Sequence, residues 1–316
     1  MRKVFIAGAT GVLGRRLVRL LVDQGDEVTG MTRTPSKREL LKQLGARPVV
    51  ADALDPDAVG RAISEAEPDV VVHQLTALSD VRDARNFERA FSQNARLRRD
   101  GTDILLSASR AAGVKRFVAQ CYAGFLLART GPRVLREDDP LDVNPPAPFR
   151  RVVQADRHLE AAVTGASWTE GIVLRYGSFY GPGTSMSLHP PGVHTELVRK
   201  RQFPIIGGGA GIWSFLHIDD AARGTLAAIE RGRRGIYHIT DNEPAPVAQW
   251  LPALAAAINA KPPYYVSKWL GRLAGGAAAV IMMTATRGAS NEKARSELSW
   301  QPGYGSWREG FVHGLG

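Results

Sequence analysis

The sequence is poor in cysteine. Cys121 is the only cysteine among 316 residues, so no disulfide can form within the chain and no cysteine-based zinc site is available. The histidines His189, His194 and His217 are widely spaced and form no metal-ligand motif. We therefore expect a cytoplasmic protein without a metal, in which Cys121 is a buried packing residue rather than a nucleophile.

Long apolar segments are also missing. The apolar stretch at residues 275–285 is shorter than the roughly 20 residues that cross a membrane. The apolar run at residues 4–7, which follows a basic start, is too short for the core of a signal peptide. These lengths predict neither a membrane-spanning segment nor export.

Clusters of basic residues are absent although the formal net charge is +10. The excess is mostly arginine, scattered as pairs such as Arg15-Arg16 and Arg233-Arg234. Binding to nucleic acid needs clustered cations to neutralise phosphates. We expect no nucleic-acid partner and no membrane partner. The partner we expect is a small-molecule substrate, bound by a monomer or homodimer.

What the sequence does contain is a regular alternation of short apolar runs and amphipathic segments. Strands are expected at residues 4–7, 27–31, 47–50, 69–73, 116–120 and 171–174. Helices are expected from residue 12, at 36–44 and 57–65, within 86–112, at 151–163 and within 250–286. Alternation of this kind predicts an α/β fold, a Rossmann-type doubly wound parallel sheet with right-handed crossovers.

A glycine-rich turn separates the first expected strand from the first expected helix. The spacing allows a tight bend at Gly8, close approach of a pyrophosphate at Gly11, and packing of the helix on the strand at Gly14. The unpaired amides at the start of the helix would bind the anion. The predicted cofactor contacts in this turn are Gly8, Thr10, Gly11, Val12, Leu13 and Gly14.

The end of the second expected strand predicts which dinucleotide binds. An acidic residue there would bind the ribose of NAD, but the sequence has Arg33, with Lys37 close behind. An arginine can bind a 2′-phosphate through two parallel hydrogen bonds. NADP (NADPH) is therefore predicted in preference to NAD.

The pattern loosens after residue 125, where proline becomes frequent. We assign residues 1–175 to an NADP-binding Rossmann domain that is completed by about 212–245. Residues 176–211 and 246–316 are assigned to a smaller C-terminal substrate-binding lobe.

Further segments resemble the extended short-chain dehydrogenase/reductase superfamily, in its epimerase/dehydratase-like form. The resemblance lies in residues 8–14, 51–54, 72–77, 174–183, 215–222 and 290–294. It implies contacts to the cofactor from an acidic turn after the third strand, from the loop after the fourth strand, and from the segment at 174–183. The residues so implied are Asp52, Ala53, Leu75, Thr76, Ala77 and Tyr176.

The resemblance fails at the catalytic residues of the superfamily, which are a serine or threonine ending the fifth strand and a Tyr-x-x-x-Lys motif on the next helix. Tyr122 stands at the serine position, and alignment on Glu160 puts Val152 and Asp156 at the tyrosine and lysine positions. Residues 150–164 contain neither tyrosine nor lysine in any register. Tyr122 is the most economical replacement acid, and a packed aromatic at a strand end is an equally good interpretation.

The substrate lobe also departs from the sugar-nucleotide members of the superfamily. Trp213 stands where those members carry an arginine that holds a diphosphate. A flat apolar side chain favours an apolar or aromatic substrate. The residues expected to line this site are Met186, Leu188, Phe203 and Trp213, although core packing would also explain several of them.

Three functions remain open at this point. The first is an NADP-dependent oxidoreductase acting on a carbonyl-type group of a small hydrophobic metabolite. The proton would be transferred by Tyr122, by solvent or by the substrate itself. The second is a non-redox cyclase, lyase or isomerase that keeps the dinucleotide as a structural group. The third is an NADP-sensing binding protein that resembles NmrA-like regulators. The oxidoreductase is our working hypothesis, because a complete cofactor site adjoins a separate pocket lobe.

Overall fold

The computed structural model describes residues 1–78, 87–124 and 126–316. The strands are β1 (Lys3–Ala7), β2 (Glu27–Thr32), β3 (Arg47–Val50), β4 (Val70–His73), β5 (Arg116–Tyr122), β6 (Val134–Leu135), β7 (Glu170–Tyr176), β8 (Ser178–Tyr180), β9 (Ile205–Ile206), β10 (Ile212–Trp213), β11 (Phe215–His217), β12 (Gly235–Ile239), β13 (Ala245–Pro246), β14 (Tyr265–Val266) and β15 (Gly288–Ala289). The α-helices are α1 (Val12–Asp23), α2 (Arg38–Gln43), α3 (Pro56–Ala66), α4 (Phe87–Ala90), α5 (Ser92–Arg96), α6 (Thr102–Ala111), α7 (Arg150–Gly165), α8 (Val193–Arg199), α9 (Ile218–Arg231), α10 (Val247–Ala257), α11 (Lys268–Thr284), α12 (Glu292–Glu297) and α13 (Trp307–His313).

The central feature is a parallel sheet of seven strands in the order β12-β7-β5-β4-β1-β2-β3. Each adjacent pair is parallel, including β1 with β2 and with β4, where the order of strands reverses direction. At such a switch point the carboxyl ends of the strands leave a crevice for a ligand. The α/β fold predicted from the alternating pattern is confirmed.

Both faces of the sheet are covered, which explains the continuous apolar run of β1. Val4 and Ile6 point to one face, where α1 and α9 pack against each other. Phe5 and Ala7 point to the opposite face, which is covered by α3, α6 and α7. Successive side chains of a strand alternate between faces, so a strand buried on both faces must be apolar at every position.

The long helix expected within residues 86–112 is divided, and residue 86 lies outside the described residues. α4 and α5 are followed by a turn of π-helix at Leu97–Gly101 and then by α6. The π turn carries Arg98, whose side chain reaches Asp156 in α7. The spacing of apolar residues in the sequence predicts a helix here but not the π turn. The π turn accompanies a contact with a distant helix, which local spacing does not reveal.

A third apolar cluster lies outside the sheet and is built around aromatic rings. Phe215 lies 5.3 Å from Trp250 and 5.4 Å from Phe311, measured between ring centroids. The cluster draws on residues 180–215 and 245–315, most of which belong to the expected substrate lobe. The domain boundaries themselves stay a prediction.

Candidate functional site

The turn between β1 and α1 requires glycine at two positions. Gly8 has a φ of +94°, and a Cβ atom there would lie 2.7 Å from the carbonyl oxygen of Gln74. A Cβ atom on Gly14 would lie 2.3 Å from the carbonyl oxygen of Gly8. These close approaches pack the start of α1 against the ends of β1 and β4, which only glycine permits.

The first turn of α1 suits an anion. Gly11 precedes the helix, and among the described residues no side chain caps the helix and no acidic residue lies in its first turn. The amides there lack intrahelical partners, and the helix dipole favours negative charge at this end. Leu13 is buried in the core, so only its backbone is available to a ligand. Thr10 lies beside Thr32, with their hydroxyl oxygens 3.5 Å apart.

The predicted phosphate-binding residues lie at the carboxyl end of β2. Arg33 and Lys37 are both exposed. Neither forms an ion pair within the part of the chain that the structure describes. The backbone N–H of Thr34 donates to the hydroxyl of Thr32 at 3.2 Å, which holds the turn that carries Arg33. Two free cations at this edge would accept a phosphate without first breaking an existing ion pair.

Five further predicted cofactor residues follow β3 and β4, at the same edge of the sheet. Asp52 is exposed, and one of its carboxylate oxygens accepts the N–H of Leu54 at 3.0 Å; Ala53 beside it is buried. Leu75, Thr76 and Ala77 follow β4, and Ala77 donates its N–H to the side chain of Asn94 at 3.2 Å. The structure therefore places the predicted cofactor residues other than Tyr176 along the carboxyl ends of β1 to β4.

Tyr176 is the predicted cofactor residue whose hydroxyl is already used inside the protein. That oxygen lies 2.6 Å from the hydroxyl of Thr225 and accepts the side-chain N–H of Gln74 at 3.2 Å. Burial raises the pKa of Tyr176 to about 12. Its contact with a cofactor stays a prediction.

Tyr122 ends β5 beside Tyr176 in the neighbouring strand. Its hydroxyl oxygen lies 3.0 Å from the hydroxyl oxygen of Ser178, a residue that the sequence did not single out. Burial raises the pKa of Tyr122, so the phenol keeps its proton at neutral pH. A Cβ atom on Gly124 would lie 2.0 Å from the Tyr122 ring, so glycine there permits this ring position.

A small pocket lies beside Tyr122 and extends into the lobe. Its lining residues are Tyr122, Ala123, Gly124, Ile212, Trp213, Ser214, Met282 and Thr286. Of the residues expected to line the substrate site, Trp213 is part of this lining. Its indole N–H donates to the carbonyl of Met282 at 2.9 Å, which fixes the orientation of the ring.

The other three expected substrate residues lie in the aromatic cluster of the lobe. Met186 is 1% exposed and is enclosed by that cluster. Leu188 and Phe203 are half-buried and pack at its edge. Core packing therefore accounts for Met186, while Leu188 and Phe203 retain exposed surface that a ligand could contact. The roles of all three stay predictions.

Helix α7 carries an ion pair at the position aligned with the lysine of the superfamily. Asp156 is fully buried, and one of its carboxylate oxygens accepts an N–H of Arg98 at 2.7 Å. Burial raises the pKa of Asp156 to about 6 against the opposing effect of Arg98. Val152 is buried as well. The aligned positions are thus occupied by an apolar side chain and by a carboxylate held within the protein.

Cys121 lies near this ion pair. The sequence offered it no cationic neighbour, but in the fold the charges of Arg98 and Arg175 act to lower the pKa of the thiol, against the larger effect of burial. The thiol is 3% exposed, and burial raises its pKa well above the ordinary value. A buried thiol that keeps its proton is a poor nucleophile, which agrees with the expected packing role.

The histidines do not gather at a metal site. The described residues contain no group of three or more side chains placed to hold a metal ion. His217 has its own structural contacts, since one ring nitrogen accepts the N–H of Asp219 at 3.2 Å and the other lies 3.0 Å from the carbonyl of Gly314. Within the described chain, no helix has the length and apolar character needed to span a bilayer.

Comparison with known proteins identifies the family. Residues 4–240 match the model of the NAD dependent epimerase/dehydratase family. The chain belongs to this family. The resemblance to the epimerase/dehydratase-like form of the extended short-chain dehydrogenase/reductase superfamily is therefore confirmed.

Several relatives of this chain are named as reductases, and two of them are described here. The 3-diazoavenalumate denitrifying reductase of a Streptomyces species is 45% identical over 310 residues, covering 98% of this chain and 99% of the relative. A ketoreductase of a farnesyl dihydroquinoline oxide from Stigmatella aurantiaca is 26% identical, covering 80% of this chain and 72% of the relative. The UDP-glucose 4-epimerase of Thermotoga maritima has a similar fold, with a TM-score of 0.76, 22% identity and coverage of 100% of this chain and 97% of that one.

These findings make the family member an oxidoreductase, as the working hypothesis expected. The site that it presents differs from the catalytic pattern expected for the superfamily, because no tyrosine or lysine occurs in residues 150–164. Sequence reasoning missed Ser178 and Arg98. Ser178 lies within the matched segment at 174–183, two residues after β7, and this position was the available signal. Nothing in the local sequence indicated that Arg98 would reach α7.

Proposed function

We propose that the protein is an NADPH-dependent reductase that replaces the diazo group of an aromatic substrate by hydrogen and releases dinitrogen. One observation of the site carries the proposal: α7 lacks the tyrosine and lysine that the resemblance predicts as a proton-donating pair. The aligned positions hold the apolar Val152 and Asp156, whose carboxylate is bound to Arg98. The relative of matching length, named as a denitrifying reductase of a diazo compound, supports the same chemistry.

The chemistry explains why such a proton donor is dispensable. A carbonyl reduction builds negative charge on an oxygen, which needs an acid close to it. In an aromatic diazo compound conjugated with a phenolate oxygen, an incoming hydride forms the new C–H bond, and the electron pair of the C–N bond leaves with dinitrogen. The resulting phenolate then takes up one proton from solvent. Substrate, NADPH and one proton give the reduced product, dinitrogen and NADP.

NADPH supplies the hydride when it is bound, and the residues along the sheet edge fit it. The close packing at Gly8 and Gly14 holds the start of α1 against the ends of β1 and β4, and the uncapped start of α1 suits a pyrophosphate. Arg33 and Lys37 suit a 2′-phosphate better than a free ribose hydroxyl. These observations support NADP over NAD.

Replacing Arg33 tests this preference. Arg33→Ala is expected to raise the KM for NADPH by about 10-fold or more, because a charge-assisted contact with the phosphate is lost. The KM for NADH should stay nearly constant. Steady-state kinetics with both cofactors measure the change, with Arg19→Ala as the matched control, since Arg19 is an exposed arginine on α1. An equal effect on both cofactors would contradict a phosphate contact.

The cavity beside Tyr122 has a volume of about 10 Å³, which is room for about one water molecule, so the chemistry of its walls rather than its size bears on the class of substrate. Trp213 and Met282 form apolar walls, and the described lining contains no charged side chain. An aromatic ring gains by stacking on such a surface, whereas a diphosphate would lose its hydration without a compensating cation. Tyr122 and Ser178 add hydroxyls that can orient a phenolic oxygen by hydrogen bonds.

The direct test uses a hydroxycinnamate that carries an ortho-quinone diazide, with NADPH deuterated at the transferable position. We expect equal consumption of NADPH and release of dinitrogen, with deuterium at the carbon that carried the diazo group. Mass spectrometry of the gas and of the product measures both. Oxidation of NADPH without release of dinitrogen, or a product without deuterium, would refute the proposal.

Carbonyl reduction is the second candidate, favoured by the hydroxyl pair of Tyr122 and Ser178, which could supply a proton. The ketoreductase relative supports it too. A Tyr122→Phe variant separates the two reactions. Diazo reduction should remain within about 10-fold of the original rate, because the proton comes from solvent, whereas loss of a general acid would slow ketone reduction by about 100-fold or more. Ser178→Ala is the companion variant, since it leaves the phenol in place.

A further inference from the structure

The exposed apolar side chains of the protein are concentrated around the start of α11. Twelve large apolar side chains are exposed among the described residues, and five of them fall within residues 264–273. Single exposed apolar residues are ordinary on a soluble protein, whereas a group of them marks an interaction surface. Residues 261–273 form what we call the α11 surface, and its exposed apolar members are Tyr264, Tyr265, Trp269, Leu270 and Leu273.

Two of these side chains form an apolar ridge on the outer face of α11. The inner face is at Gly271, where a Cβ atom would lie 2.5 Å from the Cγ2 atom of Ile206 in β9. Trp269 and Leu273 each lie two residues from Gly271, which is just over half a turn of the helix. They are four residues apart and therefore neighbours on one face. With exposed fractions of 68% and 75%, they form a ridge that faces solvent.

The second half of α11 belongs to the interior instead. The helix is interrupted at Gly276, which has a φ of +79°. Beyond this kink Ala278 and Met283 are buried, and Met282 lines the pocket beside Tyr122. The helix therefore has a buried half that reaches the pocket and an exposed apolar half on the surface.

The charge of the α11 surface has one sign. Lys261, Lys268 and Arg272 lie within it and are exposed. Residues 244–291 contain no aspartate or glutamate. The apolar ridge is thus flanked by cations along the chain, with no acidic residue to neutralise them within this segment.

The fold brings a second basic segment to the same place. Strand β9, which follows α8, pairs with β14 within the α11 surface. Arg199, Lys200 and Arg201 lie between α8 and β9 or at the end of α8, and all three are exposed. The guanidinium of Arg201 lies 5.6 Å from the centre of the Tyr264 ring. Lys200 pairs with Glu196 at 3.5 Å, so the segment keeps an excess of positive charge.

We propose that the α11 surface docks the protein on a membrane whose surface carries anionic lipids. Tryptophan, tyrosine and leucine side chains suit the boundary between head groups and acyl chains, and the surrounding cations suit the head groups. An anionic lipid surface presents one sign of charge, which matches a segment without acidic residues. A protein partner presents both signs. A second copy of this chain fits poorly, because a two-fold interface would place these cations against each other.

The proposal concerns the surface of a bilayer and not a span across it. The sequence-based expectation of no membrane partner rested on the absence of long basic runs and of long apolar segments. Neither property shows which apolar and basic side chains the fold leaves exposed together. The inference does not depend on the reaction that the protein catalyses.

The test measures binding of the full-length protein to lipid vesicles by sedimentation. One vesicle type contains phosphatidylcholine and phosphatidylglycerol in equal parts, and the other contains phosphatidylcholine alone. We expect binding to the anionic vesicles to be at least about 10-fold tighter and to weaken as salt is added. Brominated lipids in the anionic vesicles should quench tryptophan fluorescence, and Trp269→Phe should remove most of this quenching.

Two double variants separate the apolar and the electrostatic contributions. Trp269→Ser with Leu273→Ser removes the ridge and should weaken binding to anionic vesicles by about 10-fold or more. Lys268→Ala with Arg272→Ala removes two cations and should weaken it by about 25-fold, with a smaller effect of salt. Both variants should bind NADPH as the original protein does, which shows that they fold.

Matched controls change the same residue types elsewhere on the surface. Arg61→Ala with Arg110→Ala removes two exposed cations, from α3 and α6. Val312→Ser removes an apolar side chain of α13 that is 65% exposed. Both controls should bind anionic vesicles as tightly as the original protein.

Four results would overturn the proposal. The first is equal binding, or no binding, to the two vesicle types, and the second is a loss of binding in the controls that equals the loss in the double variants. The third is binding to soluble polyglutamate without quenching by brominated lipids, which would assign the surface to an acidic protein. The fourth is a dimer without lipid, seen by analytical ultracentrifugation, that the ridge variant dissociates. No step of the test uses turnover, so failure of the proposed reaction would leave its outcome unchanged.

Discussion

Asp156→Asn is expected to lower the free energy of unfolding by about 3 kcal/mol or more at pH 7.5. At this pH the carboxyl, whose pKa burial raises to about 6, is mostly ionised and paired with Arg98. The variant keeps the shape of the side chain but leaves the Arg98 guanidinium buried without a countercharge. Arg98 is 5% exposed, so water cannot compensate. Urea denaturation followed by circular dichroism measures the change.

Asp103→Asn is the matched control for this prediction. Asp103 also pairs with a residue of α7, since its carboxylate lies 2.7 Å from the Nε2 atom of His158, but its side chain is 52% exposed. An exposed pair contributes at most about 1 kcal/mol. If both variants lose the same stability, the buried ion pair does not hold α7 against the π turn.

The double variant Arg98→Met, Asp156→Leu tests whether the buried ion pair itself stabilises the protein. Removing both charges together leaves no unpaired ion, so the double variant should be more stable than Asp156→Asn and close to the original protein. Asp156→Lys, which restores the residue type of the superfamily, should be the least stable because it places a second cation against Arg98. A Tyr-x-x-x-Lys motif therefore cannot be restored here without also changing Arg98.

The fold could be predicted from sequence because its signals are local. The apolar residues at 4–7 indicate a strand buried on both faces, and the structure places Val4 and Phe5 in the clusters on opposite faces. The division of the helix within 86–112 could not be predicted in this way. Its π turn accompanies a contact between residues 58 positions apart in sequence, and no helical period contains that information.

In the candidate site, too, residues placed by local spacing could be predicted and contacts between distant residues could not. Gly8 and Arg33 follow the ends of β1 and β2 at fixed spacings, so their places at the sheet edge could be predicted once the strands were recognised. The contact between Tyr122 and Ser178 could not be predicted, because the two residues are 56 positions apart in sequence and come together only when β5 and β7 pair.

Gly14→Ala is expected to weaken NADPH binding by about 100-fold or more, equivalent to at least about 2.7 kcal/mol. The added Cβ atom would lie 2.3 Å from the carbonyl oxygen of Gly8 and 2.9 Å from the backbone of Ala9. Backbone atoms cannot move aside as a flexible side chain can, so α1 must shift away from the end of β1. That shift would displace the amides of its first turn from the pyrophosphate.

Gly60→Ala is the control that separates this effect from the general consequences of replacing glycine. Gly60 lies in α3, and a Cβ atom there would meet nothing within 4 Å. The replacement should leave NADPH binding unchanged and raise stability slightly, because alanine favours a helix over glycine by about 1 kcal/mol. Fluorescence titration with NADPH and thermal unfolding measure the two properties. If Gly14→Ala remains folded and binds NADPH as tightly as Gly60→Ala, the close packing at this turn does not position the cofactor.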